Sequence, residues 1–147
     1  MQTDHIHRVF LSLGSNLGDR SRALDCAIDL INRQIGPVKR CSSYIETEPW
    51  GFVSDNIFLN ACIAVDTQLS PRQLLETTQL IERQLGRIHK SKSGQYHDRP
   101  IDIDILLYDH LSIDEPGLTI PHPMMFERDF VMRPLSEILD IEKLSRP

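Results

Sequence analysis

The sequence has few cysteines, and none of them forms a ligand-like pair. Cys26, Cys41 and Cys62 are scattered along the 147 residues, without Cys-x-x-Cys spacing. This leaves a zinc ribbon or a thioredoxin-like redox site without support. Because an odd number of thiols cannot all pair within one chain, we expect a reduced, cytoplasmic setting.

Long apolar segments are also missing. The wholly apolar runs are only a few residues long, such as residues 105–108, whereas a membrane-spanning helix needs roughly 20 apolar residues. The first eight residues are polar and contain no apolar stretch typical of a signal peptide. We therefore expect no membrane partner and no secretion signal.

Positive charge is in the minority. Sixteen Lys and Arg residues stand against 21 Asp and Glu residues, which gives a net charge of −5. The chain as a whole lacks the cationic field that binds a nucleic-acid backbone, so we expect no nucleic acid among its partners. Apolar residues make up 40% of the chain, enough for a buried core, and the length is typical of one domain over residues 1–147.

Hydrophobic periodicity predicts alternating strands and helices. Apolar runs predict strands at residues 8–13, 38–47, 57–65 and 101–107; the first stops at a Gly-Ser-Asn turn, and in the last Ile101, Ile103, Ile105 and Leu107 share one face. Helical spacing predicts one helix from Asp19 to a Gly36-Pro37 stop and another that Ser70 caps. A polar loop at 87–98 and a broken helix at 124–138 complete the pattern.

The order strand, helix, strand, strand, helix, strand describes an α+β fold. In such a split βαβ plait, helices pack on one side of a mainly antiparallel sheet. The other face of the sheet is then free for a ligand.

Asp102 and Asp104 are the strongest candidates for metal ligands. They lie two residues apart in a predicted strand, so both carboxylates project from one face, with their Cα atoms roughly 7 Å apart. Two hard oxygen donors at this spacing suit one or two Mg²⁺ ions bound to nucleotide phosphates. The spacing alone leaves a second interpretation open, in which the two are solvated carboxylates on an exposed sheet face.

A basic segment precedes this pair. Residues 83–99 contain five basic side chains and one acidic side chain, within a chain that is negative overall. Phosphoryl transfer needs cations and guanidinium groups that spread charge on the transferred group, so the combination with Asp102 and Asp104 favours such a reaction. A solvated charged loop is the alternative.

Phe58 and Asn60 share the strand face opposite the apolar set of the same strand. A ring beside an amide suits a planar heterocycle, which would stack on the ring and pair with the amide through its edge. The alternative is a second buried face, with Phe58 under a loop. His122, which lies between two prolines and near Arg128 in the sequence, can donate to a phosphate.

Six short motifs, in order along residues 9–138, closely resemble those of the 6-hydroxymethyl-7,8-dihydropterin pyrophosphokinase family. They are LGSN at 13–16, TEPWG at 47–51, FLNA at 58–61, IERQLGR at 81–87, DRPIDIDI at 98–105 and IPHP at 120–123. Each motif alone is weak, but six in this order are specific. The resemblance implies a ferredoxin-like α+β domain of folate biosynthesis that transfers pyrophosphate from ATP to the hydroxymethyl group of the pterin and releases AMP.

The resemblance also implies roles for single residues. Asp102 and Asp104 match the family's ligands of two Mg²⁺ ions, which accompany ATP. Arg87 and Arg99 match its catalytic, phosphate-contacting arginines. Phe58 and Phe130 would sandwich the pterin, in a pocket lined by Thr47, Pro49, Trp50, Gly51 and Asn60. The positions that match nucleotide contacts are Gln79, Glu82, Arg87, Lys90, Tyr96, Arg99, Ile105, Thr119, His122 and Arg128.

Residues 88–98 match a mobile loop that closes over ATP in the family. Two residues of this loop depart from the family pattern. His89 stands where an Arg or Lys is frequent, and Tyr96 lies near the place of a frequent Trp.

Two other functions remain open on the sequence. A two-metal phosphohydrolase could use Asp102, Asp104 and the basic segment, but it would not need Phe58 and Phe130 as a stacking pocket. A nucleic-acid-binding plait shares the coarse fold, although the acidic balance and the lack of an aromatic Lys/Arg-Gly-Phe strand motif count against it. We expect a monomer that acts on two small molecules, ATP and 6-hydroxymethyl-7,8-dihydropterin.

Overall fold

The computed structural model describes residues 5–48, 56–86 and 100–139. The strands in these ranges are β1 His7–Ser15, β2 Val38–Cys41, β3 Ile45–Thr47, β4 Phe58–Thr67, β5 Asp102–Tyr108, β6 Ile113–Glu115 and β7 Leu118–Ile120. The helices are α1 Arg20–Gln34, α2 Pro71–Gln84 and α3 Asp129–Ile138, with a 3-10 turn, Met125–Glu127, before α3. None of these helices is long and apolar enough to cross a membrane.

Five strands form one antiparallel sheet. β1 lies between β4 and β5, and β2 and β3 both pair with the opposite side of β4. Since β2 and β3 follow each other along β4, they share one strand position, and the chain order becomes strand, helix, strand, strand, helix, strand. The predicted ferredoxin-like α+β fold is confirmed, with β5 as the outermost described strand beside β1.

Both long helices begin where the sequence predicts. The Asp19 side chain caps α1 by accepting the backbone N–H of Arg22. Ser70 and Gln73 form both halves of a capping box at the start of α2, with Pro71 in its first turn. Such caps satisfy backbone N–H groups that have no partner inside the helix, and each is worth about 1 kcal/mol.

Helices cover both faces of the sheet, which corrects one expectation. On the first face, α1 and α2 pack against alternating residues of β1, β4 and β5, among them Leu11, Ile63 and Ile103. On the second face, α3 packs over Cys62 and Ala64 of β4, and both are fully buried. The sequence predicts that the second face is free for a ligand. This prediction is wrong where α3 covers Cys62 and Ala64, because the apolar side of α3 must also be buried.

The strand predicted over residues 38–47 is interrupted. Ser42 separates β2 from β3, and its hydroxyl accepts the N–H of Cys62 on β4. The next residue, Ser43, donates through both its N–H and its hydroxyl to the carboxylate of Glu137 on α3. At Ser42 a side-chain hydroxyl thus replaces the backbone carbonyl as the acceptor from Cys62, and the contacts of Ser43 tie the connection between β2 and β3 to α3.

β5 departs from simple alternation at a β-bulge. The pairing with β1 shifts by one residue, so that Leu106 and Leu107 both pack in the second-face cluster. Tyr108 takes the next position on the first face. The prediction that Leu107 shares a face with Ile105 is therefore wrong, because the extra residue reverses the alternation.

An unpredicted hairpin follows β5. β6 and β7 pair across Pro116 and Gly117, and Gly117 has a φ of 77°. A proline followed by a glycine with positive φ is typical of a type II turn. Beyond the hairpin, the 3-10 turn and α3 confirm the predicted broken helix.

Candidate active site

Asp102 and Asp104 share the second face of the sheet, on β5. In the sheet, Asp102 pairs with Gly14 of β1 and Asp104 pairs with Ser12. Both aspartates are half-buried, whereas Ile103 between them is buried against the helices on the first face. The strand thus presents two carboxylates on one face, as their spacing predicts.

Glu82 holds the backbone between these two aspartates. Its carboxylate, on a residue that is 5% exposed, accepts the N–H of Ile103 at 2.8 Å. In an outermost strand every second N–H points away from its neighbour and needs another acceptor. α2 supplies this acceptor, because Glu82 lies on the buried side of the helix with Thr78 and Ile81.

Asn60 and Phe58 lie on the same face, on β4. The Asn60 amide donates to the hydroxyl of Thr47 on β3. Asn60 is 3% exposed and Phe58 is half-buried. The structure therefore brings together a ring and an amide held in place by Thr47, as the strand pattern predicts.

Gly14 lies between the amide and the carboxylates, and the sequence assigns it no role in the site although it belongs to the LGSN motif. It pairs with Asn60 on one side and with Asp102 on the other. The predicted Gly-Ser-Asn turn is wrong at this position, because pairing with both neighbouring strands extends β1 to Ser15. A glycine after an alternating apolar run also marks places where another group approaches the backbone closely.

A cavity of about 270 Å³ opens beside Asp104. Its walls come from α2, β5, the hairpin and the segment that follows β7. The lining residues are Leu75, Ile103, Asp104, Ile105, Gly117, Leu118, Thr119, His122 and Pro123. Four of these residues, Asp104, Ile105, Thr119 and His122, are predicted from the sequence to contact metal or nucleotide. Apolar walls with a few polar groups are typical of a small-molecule site.

Backbone contacts determine which nitrogen of His122 donates. Its Nδ1 accepts the N–H of Met124 at 3.2 Å, and its backbone N–H donates to the carbonyl of Leu106. Burial lowers the pKa of His122, the charge of Arg128 lowers it further, and the Asp102 carboxylate opposes both effects. The neutral imidazole is therefore favoured at pH 7, with Nε2–H as the donor.

Arg128 and Phe130 meet at the start of α3. The guanidinium carbon of Arg128 lies 5.5 Å from the centre of the Phe130 ring, which is typical of a cation–π contact. Arg128 is 8% exposed, and Phe130 packs against the second-face cluster. The proposed pterin-stacking ring therefore also supports a buried cation.

The remaining predicted site residues divide into two groups. Gln79 lies one helical turn from both Leu75 and Glu82 on α2, so it shares the side of the helix that borders the cavity. Seven others lie outside the described residues, as does the predicted ATP-closing loop at 88–98: Pro49, Trp50, Gly51, Arg87, Lys90, Tyr96 and Arg99.

Comparison with protein families and curated proteins gives consistent matches. A family model described as 7,8-dihydro-6-hydroxymethylpterin-pyrophosphokinase (HPPK) matches residues 10–140. A Porphyromonas gingivalis protein named 2-amino-4-hydroxy-6-hydroxymethyldihydropteridine pyrophosphokinase is 51% identical over 131 residues, which are 88% of this chain and 89% of the relative. A Bacillus subtilis protein of the same name is 42% identical over 88% of this chain and 76% of its own length.

Solved structures share the fold. A crystal structure of Plasmodium falciparum HPPK-DHPS with SDX-DHP superposes with a TM-score of 0.74 at 16% identity, over 91% of this chain. This chain spans 42% of the length of that protein. At this identity the match shows the fold alone, and it agrees with the antiparallel sheet and its helices.

Proposed function

The chain belongs to the 7,8-dihydro-6-hydroxymethylpterin-pyrophosphokinase family, and we propose that Asp102 and Asp104 serve the family's reaction as ligands of Mg²⁺. The reaction transfers a pyrophosphoryl group from ATP to the hydroxymethyl group of 6-hydroxymethyl-7,8-dihydropterin and leaves AMP. It is a step of folate biosynthesis, and the enzyme is an ATP-dependent diphosphotransferase.

The donors on β5 fit a hard divalent cation. Asp102 and Asp104 offer carboxylate oxygens from one face of one strand, and Mg²⁺ at nucleotide sites takes one or two carboxylates beside phosphate oxygens and water. When bound, Mg²⁺ supplies charge neutralisation to the phosphates of ATP. Glu82 instead directs a carboxylate oxygen to the Ile103 N–H, so it holds the strand that carries the two ligands.

The rings and the amide on the second face make the pterin site. Asn60, held by Thr47, pairs with the edge of the heterocycle, and Phe58 and Phe130 stack on its two sides. The residues that complete this site are Pro49, Trp50 and Gly51.

ATP occupies the cavity beside Asp104. Ile105 and Thr119 line it, and the Nε2–H of His122 donates to a phosphate oxygen. The other nucleotide contacts come from Gln79, Lys90, Tyr96 and Arg128, and Glu82 acts on this site through its hold on β5. Arg87 and Arg99 stabilise the charge that develops on the transferred group as the pterin hydroxyl attacks the β-phosphorus in line.

One observation carries this assignment of roles: Asn60 and Asp102 flank the same residue, Gly14, across the sheet. Neighbouring strands lie about 4.8 Å apart, so the strands that carry the amide and the carboxylate are about 10 Å apart. A heterocycle held at Asn60 can therefore direct its hydroxymethyl arm towards phosphates held at Asp102. Such alignment of the two reactants is a large part of what a transferase supplies.

The decisive experiment identifies which bond breaks. The protein is mixed with ATP, Mg²⁺ and 6-hydroxymethyl-7,8-dihydropterin, and the nucleotides and pterins are separated by chromatography after a single turnover. We expect one AMP for each pterin diphosphate and no ADP. A second reaction without the pterin is the control and should give neither nucleotide product. A two-metal phosphohydrolase would release ADP, or AMP with pyrophosphate, whether or not the pterin is present, and either result in the control would contradict the proposal.

We also propose that residues 1–147 form one domain that acts as a monomer. The antiparallel sheet supports one domain, because β1 pairs with strands from both halves of the chain. Sedimentation at several protein concentrations tests the oligomeric state, and a mass that rises with concentration would contradict a monomer. A single cooperative urea transition is expected for one domain.

A further inference from the structure

We propose that Gly14 is a positioning residue of the pterin site, an inference that rests on the proposed function. Its missing side chain lets the Asn60 amide lie against β1. It also leaves the surface between the heterocycle and Asp102 open for the hydroxymethyl arm.

Backbone conformation does not explain a glycine at this position. Gly14 lies within β1 and pairs on both sides. It is not among the described glycines with positive φ, which are Gly18, Gly36, Gly86 and Gly117. A glycine inside a strand weakens that strand relative to alanine. Since Gly14 weakens the strand and its backbone conformation does not require glycine, we infer that the position requires the absence of a side chain.

The space above Gly14 is taken by the two groups assigned to the pterin. A Cβ atom at this position would lie 2.7 Å from the Oδ1 of Asn60 and 3.6 Å from the Cδ1 of Phe58. The first distance is shorter than van der Waals contact allows, whereas the second is an ordinary contact. The conflict is therefore with the amide, and the ring keeps its place.

The amide cannot yield without losing its partner. Asn60 has a short side chain, is 3% exposed, and donates to the hydroxyl of Thr47. A methyl group at Gly14 pushes Oδ1 away from β1 and so turns or shifts the same amide that Thr47 holds. The edge of the heterocycle then meets an amide in the wrong orientation, and hydrogen bonds depend strongly on that orientation.

The same methyl group would also stand between the two substrates. Gly14 pairs with Asp102 as well as with Asn60, and a side chain at this position projects from the face that carries both. The hydroxymethyl arm must cross this surface to reach a phosphate of ATP that Mg²⁺ would hold near Asp102. Substituting Gly14 therefore affects the pterin and leaves the nucleotide cavity, on the other side of β5, unchanged.

The first test is Gly14→Ala, with binding measured by calorimetry. We expect the Kd for 6-hydroxymethyl-7,8-dihydropterin, in the presence of Mg²⁺ and a non-hydrolysable ATP analogue, to rise about tenfold or more. The Kd for the ATP analogue should stay within about twofold, which makes it the internal control for folding. An unchanged pterin Kd, or equal losses for both ligands, would overturn the inference.

The second test locates the effect at Asn60 by a double-mutant cycle. Asn60→Ala removes the atom that the new methyl group meets, so only crowding of the hydroxymethyl arm remains in this background, and adding Gly14→Ala should raise the pterin Kd by much less than about tenfold. A full tenfold loss in the Asn60→Ala background would contradict the inference. If Gly14→Ala alone fails to fold, the double variant should fold, and failure of both would count against the contact with Asn60.

These outcomes are distinct from failure of the proposed function. Pterin binding is measured without turnover, so the inference has its own readout. If the unaltered chain forms no pterin diphosphate yet binds the pterin, and Gly14→Ala weakens that binding, the reaction is misassigned and the role of Gly14 stands. If the unaltered chain is active and Gly14→Ala binds the pterin normally, the inference alone is wrong.

Discussion

The carboxylate of Glu82 accepts the backbone N–H of Ile103 at 2.8 Å, and this contact joins helix α2 to the peptide between Asp102 and Asp104. β5 is the outermost described strand, so its backbone is held from one side by β1 and from the other by this side chain. Glu82 therefore satisfies a buried donor and also keeps the two carboxylates at a constant spacing. This contact thereby joins the helix that borders the cavity beside Asp104 to the strand that carries the two proposed metal ligands.

Replacing Glu82 should change both the stability of the fold and the dependence of turnover on Mg²⁺. Glu82→Ala leaves the Ile103 N–H buried without this acceptor, so we expect the free energy of unfolding to fall by about 2 kcal/mol. The Mg²⁺ concentration for half-maximal turnover should rise, because β5 loses its hold from α2. Urea denaturation measures the first change, and a magnesium titration of AMP formation measures the second.

Two matched variants test whether the effect comes from loss of the acceptor oxygen of Glu82. Glu82→Gln keeps an acceptor oxygen and should retain most of the stability and the magnesium dependence. Glu76→Ala removes an exposed carboxylate from the same helix and should change neither. A Glu82→Ala chain that loses stability but keeps its magnesium dependence would show that the contact does not position the aspartates.

Removing either candidate metal ligand should abolish turnover without unfolding the chain. We expect Asp102→Ala and Asp104→Ala to lose nearly all AMP formation, because each removes a hard oxygen donor. Both side chains are only half-buried, so circular dichroism should stay close to that of the unaltered chain. Asp29→Ala, on the exposed side of α1, is the control and should remain active. Ordinary activity of either site variant would overturn the metal assignment.

Local sequence patterns predicted the elements that depend on near neighbours. The cap formed by Ser70 and Gln73 involves residues three apart, so its pattern is complete in the sequence. Strand alternation likewise predicted that Phe58 and Asn60 share a face, since a strand's geometry alone decides this.

Features that depend on distant contacts were not predictable. α3 packs over Cys62, although the two segments are far apart in the chain. Glu82 can accept the Ile103 N–H only because β5 is the outermost described strand of the sheet. The sequence predicts a turn at Gly14, because it does not show that strands pair on both sides of this residue. For Glu82 and Gly14 the missing information is the order of the strands, and for α3 it is the face of the sheet on which the helix packs.

The two rings proposed to stack on the pterin should affect pterin binding and not ATP binding. Phe58→Ala and Phe130→Ala should each weaken pterin binding by about 1 to 3 kcal/mol. Calorimetry with each ligand separately measures this. Phe126→Ala is the matched control, since this ring is 71% exposed and only four residues from Phe130, and it should leave pterin binding unchanged. Equal loss of pterin and ATP affinity in a site variant would indicate a structural role for that ring.

His122 should make stability depend on pH in the acidic range. Burial and the charge of Arg128 lower its pKa below the ordinary value of 6.5. As the pH falls below that value, the unfolded chain therefore binds the proton before the folded chain does. The stability that is fully present above pH 6.5 is then lost as the pH falls through the folded pKa.

His122→Asn separates this contribution from those of other titrating groups. Asparagine offers an oxygen near the position of Nδ1, so it can still accept the N–H of Met124, but it does not titrate. We expect the free energy of unfolding, measured in urea at pH 7, 6 and 5, to fall less steeply for the variant than for the unaltered chain. The remaining histidines are common to both proteins, and their effect cancels in the comparison. Parallel pH curves would mean that His122 titrates alike in the folded and unfolded chains, and that burial beside Arg128 does not hold it neutral.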